Sequence, residues 1–226
     1  VEHYQAGAAD HDERLQENWA YLRSVRRARR LSAAAWMDPI GGTDQLYDDQ
    51  EIWNARPEWY QDLKCLGKKA LLMPRWVSYD IWDTEAKSIE AQYPRMDLTN
   101  PPYTQPIGEW EPAPVHVIET IPPDYHPYSK KVMCVDEESW KPLQAECYDR
   151  KGEYWKYFNI AGSPKPGQKG LEKGEQNLYM MSIWGHMIDY QKMHSTNWNN
   201  CLDFHINPVG INDSYFSTER LRQAGR

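Results

Sequence analysis

Apolar and polar positions alternate most regularly in the middle of the chain, with a period of two. Residues 115–121 (VHVIETI) read as a strand on that alternation. Residues 130–135 (KKVMCV) form the next strand, and residues 136–140 (DEESW) a turn. Residues 142–148 (PLQAECY) return with Leu143, Ala145 and Cys147 on one face and Gln144 and Glu146 on the other. A second turn, residues 149–152, closes on Gly152, a residue suited to positive φ. Residues 153–160 (EYWKYFNI) follow as a strand. Strands joined by such short turns make an antiparallel meander.

The flanks are less regular. Residues 62–74 (DLKCLGKKALLMP) predict a strand interrupted at Gly67, where a bulge or a close backbone approach is expected. Residues 18–22 and 25–31 are strand candidates, and residues 38–42 a turn cluster. Residues 45–53 (QLYDDQEIW) suit a short helix or a turn carrying acids. Pro94, Pro101, Pro102, Pro106, Pro112 and Pro114 make residues 94–114 a long loop with no regular element beyond a turn or two. Residues 161–177 are a polar, Gly/Pro/Lys-rich loop. Residues 178–193 fit either a helix or a strand, and the antiparallel context favours the strand. We expect residues 1–18 to be a polar lead-in, residues 19–213 one β-rich domain, and residues 214–226 a polar tail wrapping its surface. No internal repeat stands out.

Composition changes the picture in one respect. Branched aliphatics and Phe are scarce, but 11 Trp and 15 Tyr supply large buried area with a polar tip. The chain is therefore a folded one, built on amphipathic aromatics. Its net charge of −7 argues against a nucleic-acid binder. No stretch of 18 apolar residues spans a bilayer as a helix. Cys65, Cys134, Cys147 and Cys201 show no CxxC spacing, and their pairing is not deducible. No nucleophile elbow, zinc-protease motif or phosphate loop is present, so no catalytic residue, metal or cofactor is expected. The chain opens on Val1 without a basic-then-apolar leader, as a processed product or part of a longer polypeptide would.

Several segments, in order, resemble a known family. They are Trp19-Ala20-Tyr21-Leu22 with Val25-Arg26-Arg27, Gly42-Thr43-Asp44 with Tyr47-Asp48-Asp49, and Leu66-Gly67-Lys68-Lys69 with Pro74. The most specific are His126-Pro127-Tyr128-Ser129-Lys130, Asp136-Glu137-Glu138-Ser139-Trp140, and Tyr148-Asp149-Arg150-Lys151-Gly152-Glu153-Tyr154-Trp155. They resemble the uncharacterised periplasmic outer-membrane lipoprotein-sorting proteins, similar in fold to the Lol lipoprotein carriers. The resemblance covers roughly residues 19–222. Family members are longer, with a signal peptide and more strands in front, so this chain looks like the later part. Arg23 stands where relatives often carry Pro, which puts the local turn geometry in doubt. The resemblance implies a mainly β fold, a curved antiparallel half-barrel with long loops and a few short helices. It implies a non-enzymatic periplasmic carrier or binding protein for a lipid, a lipoprotein acyl chain or another hydrophobic molecule. An outer-membrane or transporter protein would be its partner, with oligomeric state open.

Candidate contacts follow. Trp19, Tyr21, Trp36, Trp53, Trp76 and Trp184 are the expected ligand-lining rings, the competing reading being ordinary core and cross-strand packing. Arg26, Arg27 and Arg29 are the expected head-group or partner contacts. Neighbouring arginines on a strand point to opposite faces, so the competing reading is pairing with Asp44, Asp48 and Asp49. Adjacent acids at turns, Asp48/Asp49 and Asp136/Glu137/Glu138, read as caps or solvated charges. Two alternative functions stand beside the carrier. One is an accessory subunit of a larger assembly, with an open sheet edge near residues 19–31. The other is a metal-dependent hydrolase around His194, Cys201, Asp203 and His205.

Overall fold

The fold is described from a computed structural model over residues 2–6, 17–22, 26–31, 36–40, 43–75, 96–97, 99–101, 105–106, 110–166, 178–199 and 211–224. The chain divides into two units. One holds Val1–Asp38 and Asn207–Arg226, the other Pro39–Ile206.

In the first unit β1 (Glu2–Ala6), β2 (Glu17–Leu22) and β3 (Arg27–Leu31) form an antiparallel sheet in the order β1-β2-β3. The polar start of the chain is thus a strand, paired from Glu2↔Tyr21 to Ala6↔Glu17. β2 is consequently the central strand, and of the expected open edge near residues 19–31 it is β3 that stands at the edge of this sheet. The helix α1 (Thr218–Ala224) packs on these strands with Leu221 buried. Within the expected polar tail, Thr218–Ala224 make about two turns of helix.

The second unit is built on seven antiparallel strands. They are β4 (Asp62–Met73), β7 (Glu111–Ile121), β8 (Tyr128–Asp136), β9 (Pro142–Asp149), β10 (Tyr154–Pro166), β11 (Leu178–Asp189) and β12 (His194–Asn199). Their order is β12-β11-β10-β9-β8-β7-β4, so the sheet is open. Two short strands, β5 (Met96–Asp97) and β6 (Gln105–Pro106), pair separately. The meander stands where alternation puts it, and residues 178–189 are a strand.

Two local details carry the sheet's shape. Gly67 adopts φ +124° at a register shift between Cys65 and Gly67, the bulge expected within an otherwise continuous β4. Further register shifts occur at Tyr128/Lys130, Cys134/Val135, Tyr154/Lys156 and Ala161/Gly162. Each adds twist and bend. The bending is visible where Gln144 Nε2 donates to the carbonyl of Leu72, 3.0 Å away and three strands over. The backbone N–H of Gly162 likewise reaches the carbonyl of Pro74 at 3.1 Å.

One expectation fails in the proline-rich stretch. β7 begins at Glu111 and includes Pro112 and Pro114. Its ladder to β8 covers only Val115 to Thr120, while its ladder to β4 runs to Glu111. The prolines sit where one side of the strand has no sheet neighbour, and a missing N–H there breaks no ladder bond.

Candidate functional site

Strand alternation gives the seven-stranded sheet two contrasting faces. The first carries Lys131 and Met133 on β8, Leu143, Ala145 and Cys147 on β9, and Lys156, Phe158 and Ile160 on β10, all buried. Two lysines on an otherwise apolar face need polar partners. Residues 43–60, which lie across this face as a strap, give carboxylates to Lys131 and a backbone carbonyl to Lys156.

The strap is closed by its own acids. Asp49 Oδ2 accepts the N–H of Leu46 at 3.0 Å, and the N–H of Asp49 donates back to the Leu46 carbonyl at 3.0 Å. The carbonyl of Asp48 accepts the N–H of Asn54 at 3.0 Å. Glu51 and Ile52 take φ of +54° and +70°. A β-branched residue there is strained by about 1–3 kcal/mol. The strain is held because the Ile52 side chain is fully buried in the sheet's apolar cluster.

Asp48 and Asp49 project from this turn into the sheet, and both are fully buried. This corrects the reading of them as solvated charges, while Asp49 does cap the turn through the Leu46 N–H. Lys131 Nζ stands 2.9 Å from Asp49 Oδ1 and 3.4 Å from Asp48 Oδ2, and donates to the Ile52 carbonyl at 3.0 Å. Tyr128 donates its hydroxyl to Asp49 Oδ2 at 2.6 Å, Tyr60 donates to Asp48, and His126 Nε2 lies 3.2 Å from Asp48 Oδ2. Burial alone would lower the Lys131 pKa, but the two carboxylates reverse this and hold it well above the ordinary value. Desolvation opposes ionisation of Asp48, and Lys131, His126 and Tyr60 outweigh it, so its pKa is lowered. Burial drives the phenols of Tyr60 and Tyr128 upward, keeping both as donors.

The strap is also fastened along its length. Lys156 Nζ donates to the Asp44 carbonyl at 2.6 Å and to the Tyr128 hydroxyl at 3.1 Å. Asp44 pairs with Lys192 and with His194 Nδ1, the latter at 2.6 Å. Glu51 meets Lys141 at 3.4 Å and Ser182. Among the described residues the partners of Asp44, Asp48 and Asp49 are thus Lys131, Lys192, His126, His194, Tyr60 and Tyr128.

The opposite face is composed differently. Ala113, Val115 and Val117 on β7, Asn159 and Ala161 on β10, and Trp184, His186 and Ile188 on β11 are all buried. Its charged pair stands at one end, where Arg75 meets Glu111 and Asp136, each at 2.7 Å. Asp136, read as a cap or a solvated charge, is fully buried and caps, its other oxygen accepting the Ser139 N–H at 2.7 Å. Further along, burial and nearby Glu146 push the Cys134 thiol up to about 11.

With that geometry established, comparison with known proteins places the chain. Residues 5–222 match the model of a family described as protein of unknown function, DUF1329. The chain belongs to this family. A curated relative, an uncharacterised protein of Pseudomonas aeruginosa, is 29% identical over 144 residues, covering 61% of this chain and 30% of that protein. The chain thus spans less than a third of that relative's length. A solved Vibrio parahaemolyticus domain named for outer membrane lipoprotein sorting is similar over 92% of this chain and 66% of that one, with TM-score 0.54 and 22% identity. A DUF1329 structure from Desulfovibrio piger covers the same shares, with TM-score 0.51 and 14% identity. Both show a shared fold, the open antiparallel sheet expected from the sequence.

Within that fold the expected ligand-lining rings do not collect in one place. Trp19, Tyr21 and Trp36 belong to the first unit, with Tyr21 buried. Trp53 lies in the strap, tilted against Tyr60 with ring centroids 4.5 Å apart. Trp184 occupies the opposite sheet face. Trp76 falls outside the described residues. Arg26 and Arg27 are exposed, Arg26 with φ +50°, and Arg29 pairs by backbone with Ala20. His194 pairs with Asp44, while Cys201, Asp203 and His205 lie outside the described residues. Among the described residues no three His, Cys, Asp or Glu side chains gather as a metal site. Cys65, Cys134 and Cys147 are free thiols.

Sequence reasoning missed Lys131, Lys156 and Asn159. A signal for the lysines existed: alternation puts Lys131 on the face of Met133, and Lys156 on that of Phe158. Lysines on an apolar face call for buried polar partners.

Proposed function

We propose that this chain is a non-enzymatic periplasmic carrier or binding module for a lipid, a lipoprotein acyl chain or a similar hydrophobic molecule. The observation behind this reading is the asymmetry of the open sheet. One face is occupied by residues 43–60 and sealed by buried ion pairs. The other carries two buried apolar groups, Ala113, Val115 and Val117 on β7 and Ala161, Trp184 and Ile188 on β10 and β11, with Cys134 and Gln144 between them. A bent sheet open along its edges can take an extended alkyl chain against such a face. Each methylene withdrawn from water contributes about 0.8 kcal/mol, so one acyl chain supplies ample affinity. The likeness in fold to a domain named for lipoprotein sorting supports the same class of cargo. Arg26 and Arg27 are exposed and would give the first unit a contact of its own for an anionic head group of a membrane surface or a membrane-side protein partner.

Native mass spectrometry and organic-solvent extraction of the purified protein test this reading. The expected result is a stoichiometric lipid, together with uptake of the apolar dye N-phenylnaphthylamine that added lipid reverses. Ligand-free protein that takes up no dye would overturn it.

A further inference from the structure

On the face away from the strap, Asn159 of β10 stands opposite His186 of β11, and Ala161 stands opposite Trp184. Asn159 and Trp184 are therefore diagonal neighbours on one face, with backbones about 7–8 Å apart and side chains rising from the same side of the sheet. Both residues are fully buried. Among the described residues, neither Nδ2 nor Oδ1 of Asn159 has a hydrogen-bond partner, and neither does Nε1 of Trp184. A buried polar group left so costs about 1–3 kcal/mol, and buried indoles ordinarily find an acceptor. Three such atoms in one patch amount to hydrogen-bonding capacity that the polypeptide itself does not use.

The atom types define what would use it. The indole N–H only donates, the amide NH₂ donates, and the amide oxygen accepts. Two donors fit one carbonyl oxygen, and the adjacent acceptor fits a hydroxyl or an amide N–H. An ionic group does not fit. The ring beside Asn159, His186, is held neutral by burial, with its pKa pushed down to about 4. The charged groups at the end of this face, Arg75, Glu111 and Asp136, are already paired with one another. A carboxylate or phosphate would enter the patch without a counter-charge, at a desolvation cost it could not recover.

We propose that Asn159 and Trp184 form the polar anchor for the neutral carbonyl group, ester or amide, of an acyl lipid whose hydrocarbon lies along the apolar residues of the same face. The proposal rests on the carrier reading and gives it a site and a head-group chemistry. A glyceride and an acylated protein N-terminus both carry that chemistry.

Displacement of N-phenylnaphthylamine by three competitors tests it: monooleoylglycerol, a synthetic diacylated cysteinyl peptide and oleate. The expected result is that one or both neutral-carbonyl lipids displace the dye at about tenfold lower concentration than oleate. Which of the two leads identifies the source of the carbonyl. Asn159→Leu and, independently, Trp184→Phe should collapse that preference toward unity. The preference is a ratio of competitors within one protein, so it does not depend on dye affinity. Asn159→Leu should also melt no lower than the parent, because it removes an unpaired buried amide. Equal or better displacement by oleate overturns the proposal, as does a preference that survives both substitutions. In either case dye uptake leaves the carrier reading standing. Failure of the parent protein to take up dye at all removes the carrier reading itself.

Discussion

The two faces of the seven-stranded sheet bury polar groups in opposite ways. Under the strap the buried ionic groups are tied in: Lys131 to Asp48 and Asp49, Asp44 to Lys192 and His194, and Lys156 to the Asp44 carbonyl and the Tyr128 hydroxyl. On the far side, Asn159 and Trp184 are equally buried, yet their polar atoms meet no partner among the described residues. A face whose polar valences are mostly consumed, Asp48 Oδ1 excepted, serves architecture. A face that keeps some in reserve is prepared for a ligand. Energetics sharpen the contrast. Losing one member of a buried ion pair leaves a bare charge, whereas losing a lone amide removes a penalty.

The largest effect expected from that contrast lies under the strap. Lys131→Met should leave Asp48 and Asp49 buried without their cation and cost about 3–5 kcal/mol. The urea midpoint of the second unit's unfolding reads this directly. Asp48→Asn and Asp49→Asn added to Lys131→Met should recover a large part of the loss, since a neutral cluster of similar volume needs no counter-charge. A midpoint unchanged by Lys131→Met would mean the acids are solvated after all, and the two faces would no longer differ.

How much of this was readable beforehand follows from sequence distance. The meander was legible because Leu143, Ala145 and Cys147 alternate with polar neighbours and the turns are local. Gly67 announced its bulge for the same reason, since a glycine inside an apolar strand has few other uses. Residues 178–189 were ambiguous by period, and only the antiparallel neighbours decided them. The strap's role was not legible. Asp48 and Asp49 sit in a turn, where acids normally face water, and the lysine that draws them inward is 83 residues from Asp48. The prolines of β7 misled because the rule against them applies to strands paired on both sides, and Pro112 and Pro114 are paired on one. Of the candidate site, the sequence indicated Trp184 by residue type alone. Asn159 carried no local mark, because an asparagine between Phe158 and Ile160 looks like any outward strand position.

A second, smaller effect separates the faces by pH. Burial lowers the His186 pKa from 6.5 to about 4, so the folded chain binds this proton more weakly than the unfolded one. The unfolded state holds more protons between those values, and stability must fall as pH drops through that window. At about 1.4 kcal/mol per unit the loss is on the order of 1–3 kcal/mol. Asp48 acts lower. Its pKa is depressed below 3.8, so its contribution persists above that value and is lost only as pH falls further. Denaturant midpoints from pH 7 to pH 3 should thus show two declines. His186→Gln should flatten the upper one and leave the lower. A single decline below pH 4 would show that His186 is not desolvated and that the far face admits water.

The smallest effect expected is at the strap's rim. Lys192 pairs with Asp44 while most of its side chain remains exposed. Asp44 keeps a lowered pKa, first through its hydrogen bond to Lys192, with His194 assisting. Exposed pairs contribute little, because water solvates both charges and the long side chain loses freedom on pairing. Lys192→Met should therefore cost less than about 1 kcal/mol, and 1 M salt should reproduce much of the shift in the parent protein. Lys131→Met should respond little to the same salt, since ions do not reach its pair. A rim substitution costing as much as the buried one would relocate the strap's anchorage from Lys131 to the sheet edge at β12. Opening of that edge, rather than a sealed face, would then be what distinguishes the two sides.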